Sequence, residues 1–555
     1  MASRNPGRPN GGAPLTDSQP SLARSTAIMS VGTILSRLTG FARQWAMAVA
    51  LGVSLTATGA IPVASAFNIS NNIPNMIYEL VAGGVLSSMF IPVFMEKLNR
   101  EGENAAFRLA NTLFSLFLLV LGAVALIGTI FPQPFVWTQT FTVSSADSQL
   151  AVYLFRFFAV QIIFYAFVAL TTGMLNSYRK FFAPALAPLF NNVVVVIVLL
   201  GFYLPLRDTH PDIAIVALGV GTTLGVVALF VAQAPALWKL GFRWKWSLDL
   251  SDPSLRKMLR KGAWLLLYVA VNLVGVSFRN AFATQTMRDG AAALQYAWMW
   301  YQLPYGVLAV SYITAVFPEL SHAADRRDWD GYKTYLSRAL RAIALLVLPS
   351  AALLLSLGTP LVYLYRFGKF PADAVPLVRW VLAGWAVGLF FFATYMLVLR
   401  AFYATQDTRT PALTNIALTF VQVGGYWLLP KVIGGRFALV GIPLADTLFF
   451  GLHVTVLLWI LRRRIGAFDF AHVLGGWGRS LVSAGVAGLV GWGVLALMAG
   501  LGTGASANLL RVVTGGGLGM LAAYGTMRLL RIDEVSYIDG LLRKVGGRLL
   551  PRRQS

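Results

Sequence analysis

Three arginines lie where a membrane protein can least easily hold them. Arg37 and Arg43 stand six residues apart in the first long apolar run of this 555-residue chain, and Arg279 stands in the seventh. A charge at the centre of a spanning helix costs roughly 2.5–3.5 kcal/mol on insertion scales, so such residues face a cavity, a partner or a ligand. At about 1.5 Å rise per residue, Arg37 falls near the bilayer centre and Arg43 roughly 9 Å further towards the outside. A guanidinium at that depth offers a planar fork of donors that matches anionic oxygens two at a time. The chemistry expected is recognition of an anion in a cavity; the structural alternative is counter-charge to Glu79 or to helix carbonyls.

The second apolar run carries Asn68, Ser70, Asn71, Asn72, Pro74, Asn75 and Glu79, then Gly83-Gly84. Such a helix is expected to be broken or kinked, and irregular backbone at membrane depth is tolerated where it lines a water-filled cavity. Asn72, Asn75 and Glu79 therefore join Arg37, Arg43 and Arg279 as candidate substrate-binding residues. Glu79 is read either as an ion partner for an arginine or as a cation or proton site. Asp446, beside Pro443, is the candidate for Na⁺ or proton coupling, with the capping of a broken helix as the alternative. Arg156 and Arg379 are expected to snorkel, and Arg511 to anchor the last span at the interface.

These residues need long helices to hold them. The chain is 57% hydrophobic and 12% charged, with mean hydropathy +0.67, too apolar for a soluble multidomain protein. Apolar runs predict an all-α polytopic membrane protein of about 14 transmembrane helices, near 27–51, 60–96, 106–131, 150–174, 183–205, 213–236, 262–286, 291–318, 341–365, 375–399, 411–430, 438–461, 477–500 and 507–527. No signal peptide is expected, since 1–22 is a polar tail without an apolar core.

With the N-terminus inside, 33 of the 45 Lys and Arg fall on the cytoplasmic side and 6 outside. The positive-inside rule then places both termini in the cytoplasm. The net charge of +23 is accordingly read as topology signal and contact with anionic lipid, through clusters such as Arg256–Lys261, Arg462–Arg464 and Arg543–Arg553, and no nucleic-acid partner is expected.

Phe90-Ile91-Pro92 matches Val316-Phe317-Pro318 at an offset of 226, Pro184-Ala185-Leu186 matches Pro411-Ala412-Leu413 at 227, and Arg156 matches Arg379 at 223. Three matches in order predict two parallel six-helix repeats forming two lobes, plus two C-terminal helices. The expected organisation is a polar tail (1–26), an N-terminal lobe (27–240), a basic linker (241–261), a C-terminal lobe (262–465), two further helices (475–530) and a basic tail (531–555).

Enzyme signatures are missing from the sequence. Its four histidines show no metal-ligand spacing, it has no cysteine, and no glycine-rich phosphate loop precedes a Lys-Ser/Thr pair. A transporter without a cofactor is expected, driven by Na⁺ or H⁺ coupling or by membrane potential.

The run Ser36-Arg37-(x)2-Gly40-Phe41-Ala42-Arg43, then Ile73-Pro74-Asn75, Gly83-Gly84, Phe90-Ile91-Pro92, Leu303-Pro304-Tyr305-Gly306-Val307-Leu308 and Phe317-Pro318-Glu319-Leu320-Ser321 resembles the MurJ/MviN lipid II flippases of the multidrug/oligosaccharidyl-lipid/polysaccharide exporter superfamily. The likeness covers about residues 27–530. It implies fourteen helices in a bacterial cytoplasmic (inner) membrane, and movement of an undecaprenyl-diphosphate-linked disaccharide-pentapeptide to the outer leaflet by alternating access. It also implies that cavity arginines hold the diphosphate, Arg37 and Arg43 among them, and that the lipid tail lies in a groove involving the last two helices. Partners would be lipid II and, on a scaffold reading, cell-wall synthesis proteins. The chain departs from the family's charges at Gln44, Ser65, Asn72, Tyr78 and Met299, for which Arg279 and Glu79 are the expected compensation. Export of another polyprenyl-linked oligosaccharide or of a small drug, and a non-transporting scaffold for cell-wall enzymes, are the alternatives.

Overall fold

Apolar segments in a bilayer must satisfy their own backbone groups, and the chain does so with helices throughout. The computed structural model describes residues 22–54, 59–80, 90–366, 370–536 and 539, leaving aside the side chains of 22–34, 256–257 and 259–262. Among these residues there is no strand. In chain order the helices are α1 (Leu22–Leu51), α2 (Val63–Glu79), α3 (Ile91–Glu101), α4 (Glu103–Ile130), α5 (Pro132–Thr140), α6 (Gln149–Phe158), α7 (Gln161–Ser177), α8 (Phe182–Ile197), α9 (Leu204–Leu206), α10 (Pro211–Val231) and α11 (Ala234–Lys239). Then follow α12 (Pro253–Thr286), α13 (Gly290–Pro304), α14 (Val310–Asp325), α15 (Trp329–Tyr363), α16 (Ala374–Ala404), α17 (Arg409–Ile433), α18 (Gly441–Ile465), α19 (Phe470–Leu497) and α20 (Ala505–Leu529). Gly83-Gly84, both terminal tails and the side chains of most of the 256–261 cluster lie outside the described residues.

Local sequence explains several ends and breaks. Asp252, Asp328 and Asp469 cap α12, α15 and α19 by accepting the amides of Ser254, Gly331 and His472, each satisfying an otherwise unpaired helical N–H. Pro304 ends α13 in a π turn over Tyr305–Ala309, as expected where a ring removes one backbone donor.

Among the described residues ten helices are long and apolar enough to cross a membrane, or eleven when α6 and α7, bent by 43° at their junction, count as one. The fourteen expected spans are thus matched in part. The three that fall short are α1, α2 and α20: α1 carries Arg37, Arg43 and Gln44, α2 has 17 residues with four asparagines, and α20 contains five glycines besides two arginines.

Helices α1 to α10 pack mainly among themselves, through pairs such as α1 with α8, α2 with α6 and α4 with α7. Helices α12 to α18 do likewise, through α12 with α17, α15 with α16 and α16 with α18. α15 and α16 are buried over most of their length, whereas α4 and α19 present rows of exposed Leu, Ile, Val and Trp suited to lipid contact. α19 and α20 lie against α15 through small residues: a Cβ at Gly519 would stand 2.6 Å from Leu353 Cδ2 and 2.9 Å from the Ala487 carbonyl. Close backbone approach of this kind is the main source of helix association in lipid.

Candidate functional site

Arg37 reaches from α1 to the second group of helices. Its guanidinium fills the space beside Gly306 where a side chain would stand, with Cζ 3.0 Å and Nη2 3.2 Å from the position of a Cβ. Gly306 belongs to the π turn after Pro304, so the Leu303-to-Leu308 motif and the Ser36-to-Arg43 motif meet in space. Arg43 lies deeper in α1, within electrostatic reach of Tyr165 on α7, which in turn contacts Asn75 on α2. Arg279 on α12 stacks over Trp298 with Cζ 5.4 Å from the ring centroid and is within electrostatic reach of Glu79 at the end of α2.

The Nε atoms of Arg43 and Arg279 are buried without a hydrogen-bond partner among the described residues. Buried donors on a cation are normally satisfied, and leaving one bare costs about 1–3 kcal/mol. Two such orphans on cations, one in each helix group, leave donors free for an anion. The donor set is all nitrogen on fixed forks, which suits phosphate oxygens.

One end of this space is closed by a polar seam. Gln139 on α5, fully buried, accepts from Asn280 Nδ2 at 2.6 Å and Asn72 Nδ2 at 3.4 Å, and donates to Met76 Sδ at 2.7 Å and Ser277 Oγ at 3.4 Å. Beside it Thr142 Oγ1 donates to the Ala281 carbonyl at 2.6 Å, and Arg288 pairs with Asp147 at 3.0 Å. Asp289, 1% exposed, accepts the amides of Ser54 at 2.7 Å and Ser65 at 3.1 Å, while Ser65 Oγ accepts from the amide of Ala292 at 3.1 Å. Trp45 Nε1 donates to the Leu364 carbonyl at 3.1 Å. Apart from the bonds of Gln139 to Asn72 and Met76, which run between α2 and α5, these contacts join the α1–α6 region to α12, to the start of α13 or to the α15–α16 loop. Asn72 thus takes part in the seam through Gln139.

Asp446 sits elsewhere, inside the second helix group. Its carboxylate accepts from Trp385 Nε1 at 2.9 Å, Gln422 Nε2 at 2.8 Å and the Tyr426 hydroxyl, tying α16, α17 and α18 together. Arg379 lies over Trp380 at 4.0 Å and Arg156 is exposed. Arg511 is buried and donates to the carbonyls of Met498 and Ala499 and to Asn508 Oδ1, so it caps the end of α19. Sequence reading missed Gln139, Tyr165 and Asp289, and took Gly306 only as part of a motif, not as the seat of Arg37. Of the three missed, a signal was available for Asp289, an acid immediately before a helix that follows Met287-Arg288.

This arrangement can be set beside known proteins. The family model described as lipid II flippase MurJ matches residues 55–511. The chain belongs to the lipid II flippase MurJ family. Its relatives include the lipid II flippase MurJ of Burkholderia cenocepacia, 29% identical over 74% of this chain and 79% of that protein. The probable lipid II flippase MurJ of Synechocystis is 25% identical over 96% and 99%. Among solved structures, lipid II flippase MurJ in an inward closed conformation superposes with a TM-score of 0.72 at 21% identity, covering 91% of this chain and 99% of that one. An inward-facing multidrug resistance transporter of the MATE family gives 0.63 at 15%, covering 80% and 98%. The MurJ family comprises transporters, and this chain is a multi-pass, all-helical member with a fold shared by MATE transporters.

Proposed function

We propose that this chain translocates lipid II from the inner to the outer leaflet by alternating access, with the diphosphate held by Arg37, Arg43 and Arg279. The observation that carries the reading is the pair of buried, partnerless Nε atoms on Arg43 and Arg279, one from each helix group. Asn75 and Glu79 complete the site, Asn75 through Tyr165 and Glu79 as the acid that balances Arg279 while no anion is bound. Asn72 contributes through the seam with Gln139.

The membrane organisation behind this reading has fourteen spans: the eleven long apolar helices or helix pairs together with α1, the α2–α3 segment and α20. Residues 27–240 and 262–465 form two lobes, joined by the linker 241–261, with 475–530 as an added pair of helices. Both termini and the linker lie in the cytoplasm, so the polar seam faces outward and closes the cavity on that side. Anionic diphosphate entering from the cytoplasmic side would neutralise the arginines and let the lobes rock about it. Asp446 takes part in Na⁺ or proton coupling only in a state where one of its three donors has left; otherwise membrane potential supplies the drive.

The test is lipid II exposure on the outer leaflet, scored by cleavage with an externally added lipid II hydrolase in cells depleted of their own flippase and expressing this chain. Restored cleavage that is lost in Arg43→Ala supports both substrate and site. Retained cleavage in the Arg37→Ala, Arg43→Ala double variant overturns the site assignment. No cleavage, with membrane insertion verified, overturns the substrate.

A further inference from the structure

Between α11 and α12, residues 242–249 belong to no helix, and the amides of Lys245 and Ser247, two residues apart, both turn towards α4, as they do in an extended stretch. In an extended chain residues two apart share a face. Here Trp244, Trp246, Leu248 and Leu250 are 49%, 56%, 41% and 65% exposed, and the two indole rings lie 6.3 Å apart. Four large apolar side chains in alternate positions therefore form a bare ridge. The backbone is held from α4: the Lys245 amide donates to Asn111 Oδ1 at 2.9 Å, the Ser247 amide donates to Ser115 Oγ at 3.1 Å, and Ser247 Oγ lies 3.1 Å from Thr112 Oγ1. At its end Asp252, the cap of α12, pairs with Lys97 on α3. The ridge is thus a fixed feature of the surface.

Its place identifies what covers it. The apolar segment Pro211–Lys239 ends three residues before this stretch begins, and the next spanning segment starts at Ala263. Trp238 and Trp264, both exposed, stand on either flank, and Lys239, Arg243 and Lys245 lie among the tryptophans. Indole rings favour the boundary between headgroups and acyl chains, and each nearby Lys or Arg adds attraction to anionic lipid.

We propose that residues 243–250 form an interfacial anchor, whose Trp244, Trp246, Leu248 and Leu250 insert into the anionic leaflet on the linker's side of the membrane. The occupant is the continuous lipid surface that already surrounds the flanking spans. Anchored there and tied to α3 and α4, the segment holds the start of α12 in the membrane plane, so motion of α12 pivots at Asp252.

The chain has no cysteine, which permits a direct test. Single cysteines at 243 to 250, spin-labelled one at a time in the full-length protein, are reconstituted into phosphatidylglycerol-containing vesicles, and collision with oxygen is compared with collision with a water-soluble nickel chelate. The expected result is a period-2 pattern, with oxygen contact several-fold higher at 244, 246, 248 and 250 than at 243, 245, 247 and 249. Equal nickel access at all eight positions overturns the proposal in favour of a solvated loop. Protection from both reagents at 244 and 246 overturns it in favour of a protein partner. The same pattern in purely zwitterionic vesicles would remove the anionic preference.

Discussion

Arg37 meets the second helix group at a position that has no side chain, and this makes its role separable from its charge. In Gly306→Ala the new methyl would lie within contact of the guanidinium, about 3 Å from Cζ, and Arg37 must leave its seat. We expect lipid II exposure to fall about 10-fold or more, on the scale of one lost charge-assisted hydrogen bond. The double variant Gly306→Ala, Arg37→Ala should be no worse than Arg37→Ala alone, because both changes remove one contact. Additive losses in the hydrolase assay would mean that Gly306 acts independently. For Arg279, charge and shape can be separated: Arg279→Lys keeps the cation and loses the fork and its stacking on Trp298. Undecaprenyl diphosphate should bind purified Arg279→Lys roughly 10- to 100-fold more weakly than wild type; unchanged affinity would reduce Arg279 to a point charge.

Among the elements, α12 is the one whose two ends have different allegiances. Its first turn is capped by Asp252, which is bound to Lys97 of α3, while its body packs on α17. Burial alone pushes the Asp252 carboxyl up, but the Lys97 ammonium and the amide and hydroxyl of Ser254 outweigh it and hold the group below the ordinary carboxylate value. A depressed carboxyl contributes stability that is fully present above its unfolded value of about 3.9 and is lost as pH falls through the lower folded value. The melting difference between wild type and Asp252→Asn should therefore be constant from about pH 6 to 8 and shrink only below about pH 4. A difference that already fades near neutrality would mean that the tether does not depend on this carboxylate.

At the scale of the whole molecule the described contacts between the two helix groups concentrate at one end, in the Gln139, Thr142 and Asp289 seam. Asp289→Ala strips the amides of Ser54 and Ser65 of their acceptor, at a cost of about 1–3 kcal/mol for each buried donor left unpaired. If the seam is the outer gate, that cost falls on the state seen here and shifts the population about 10-fold or more towards opening. A cysteine placed at Ser277, within the seam, should then react faster with an impermeant maleimide added outside in the Asp289→Ala background than in the otherwise native chain. An unchanged labelling rate would remove the seam from gating.

Composition and the order of apolar runs were enough to establish the helical, polytopic class, because a bilayer leaves a chain no other way to pair its backbone. The Ser36-to-Arg43 and Leu303-to-Leu308 motifs were enough to point to the family, since their types and spacing are local. Contact between the motifs was not legible, because nothing in the run Pro304-Tyr305-Gly306 says that a guanidinium from α1 occupies the glycine's empty side. Nor did Gln139 announce itself: one glutamine in a short helix gains meaning only when α2 and α12 bring Asn72 and Asn280 to its amide. Arg511 shows the same limit: its place at the start of the last span was legible, whereas its partners, the carbonyls of Met498 and Ala499 and Asn508 Oδ1, were set by the turn between α19 and α20. Sequence periodicity fixes which residues share a helix face; which face meets which is decided by packing among helices that are nearly equally apolar, and there the partners of buried polar groups are chosen.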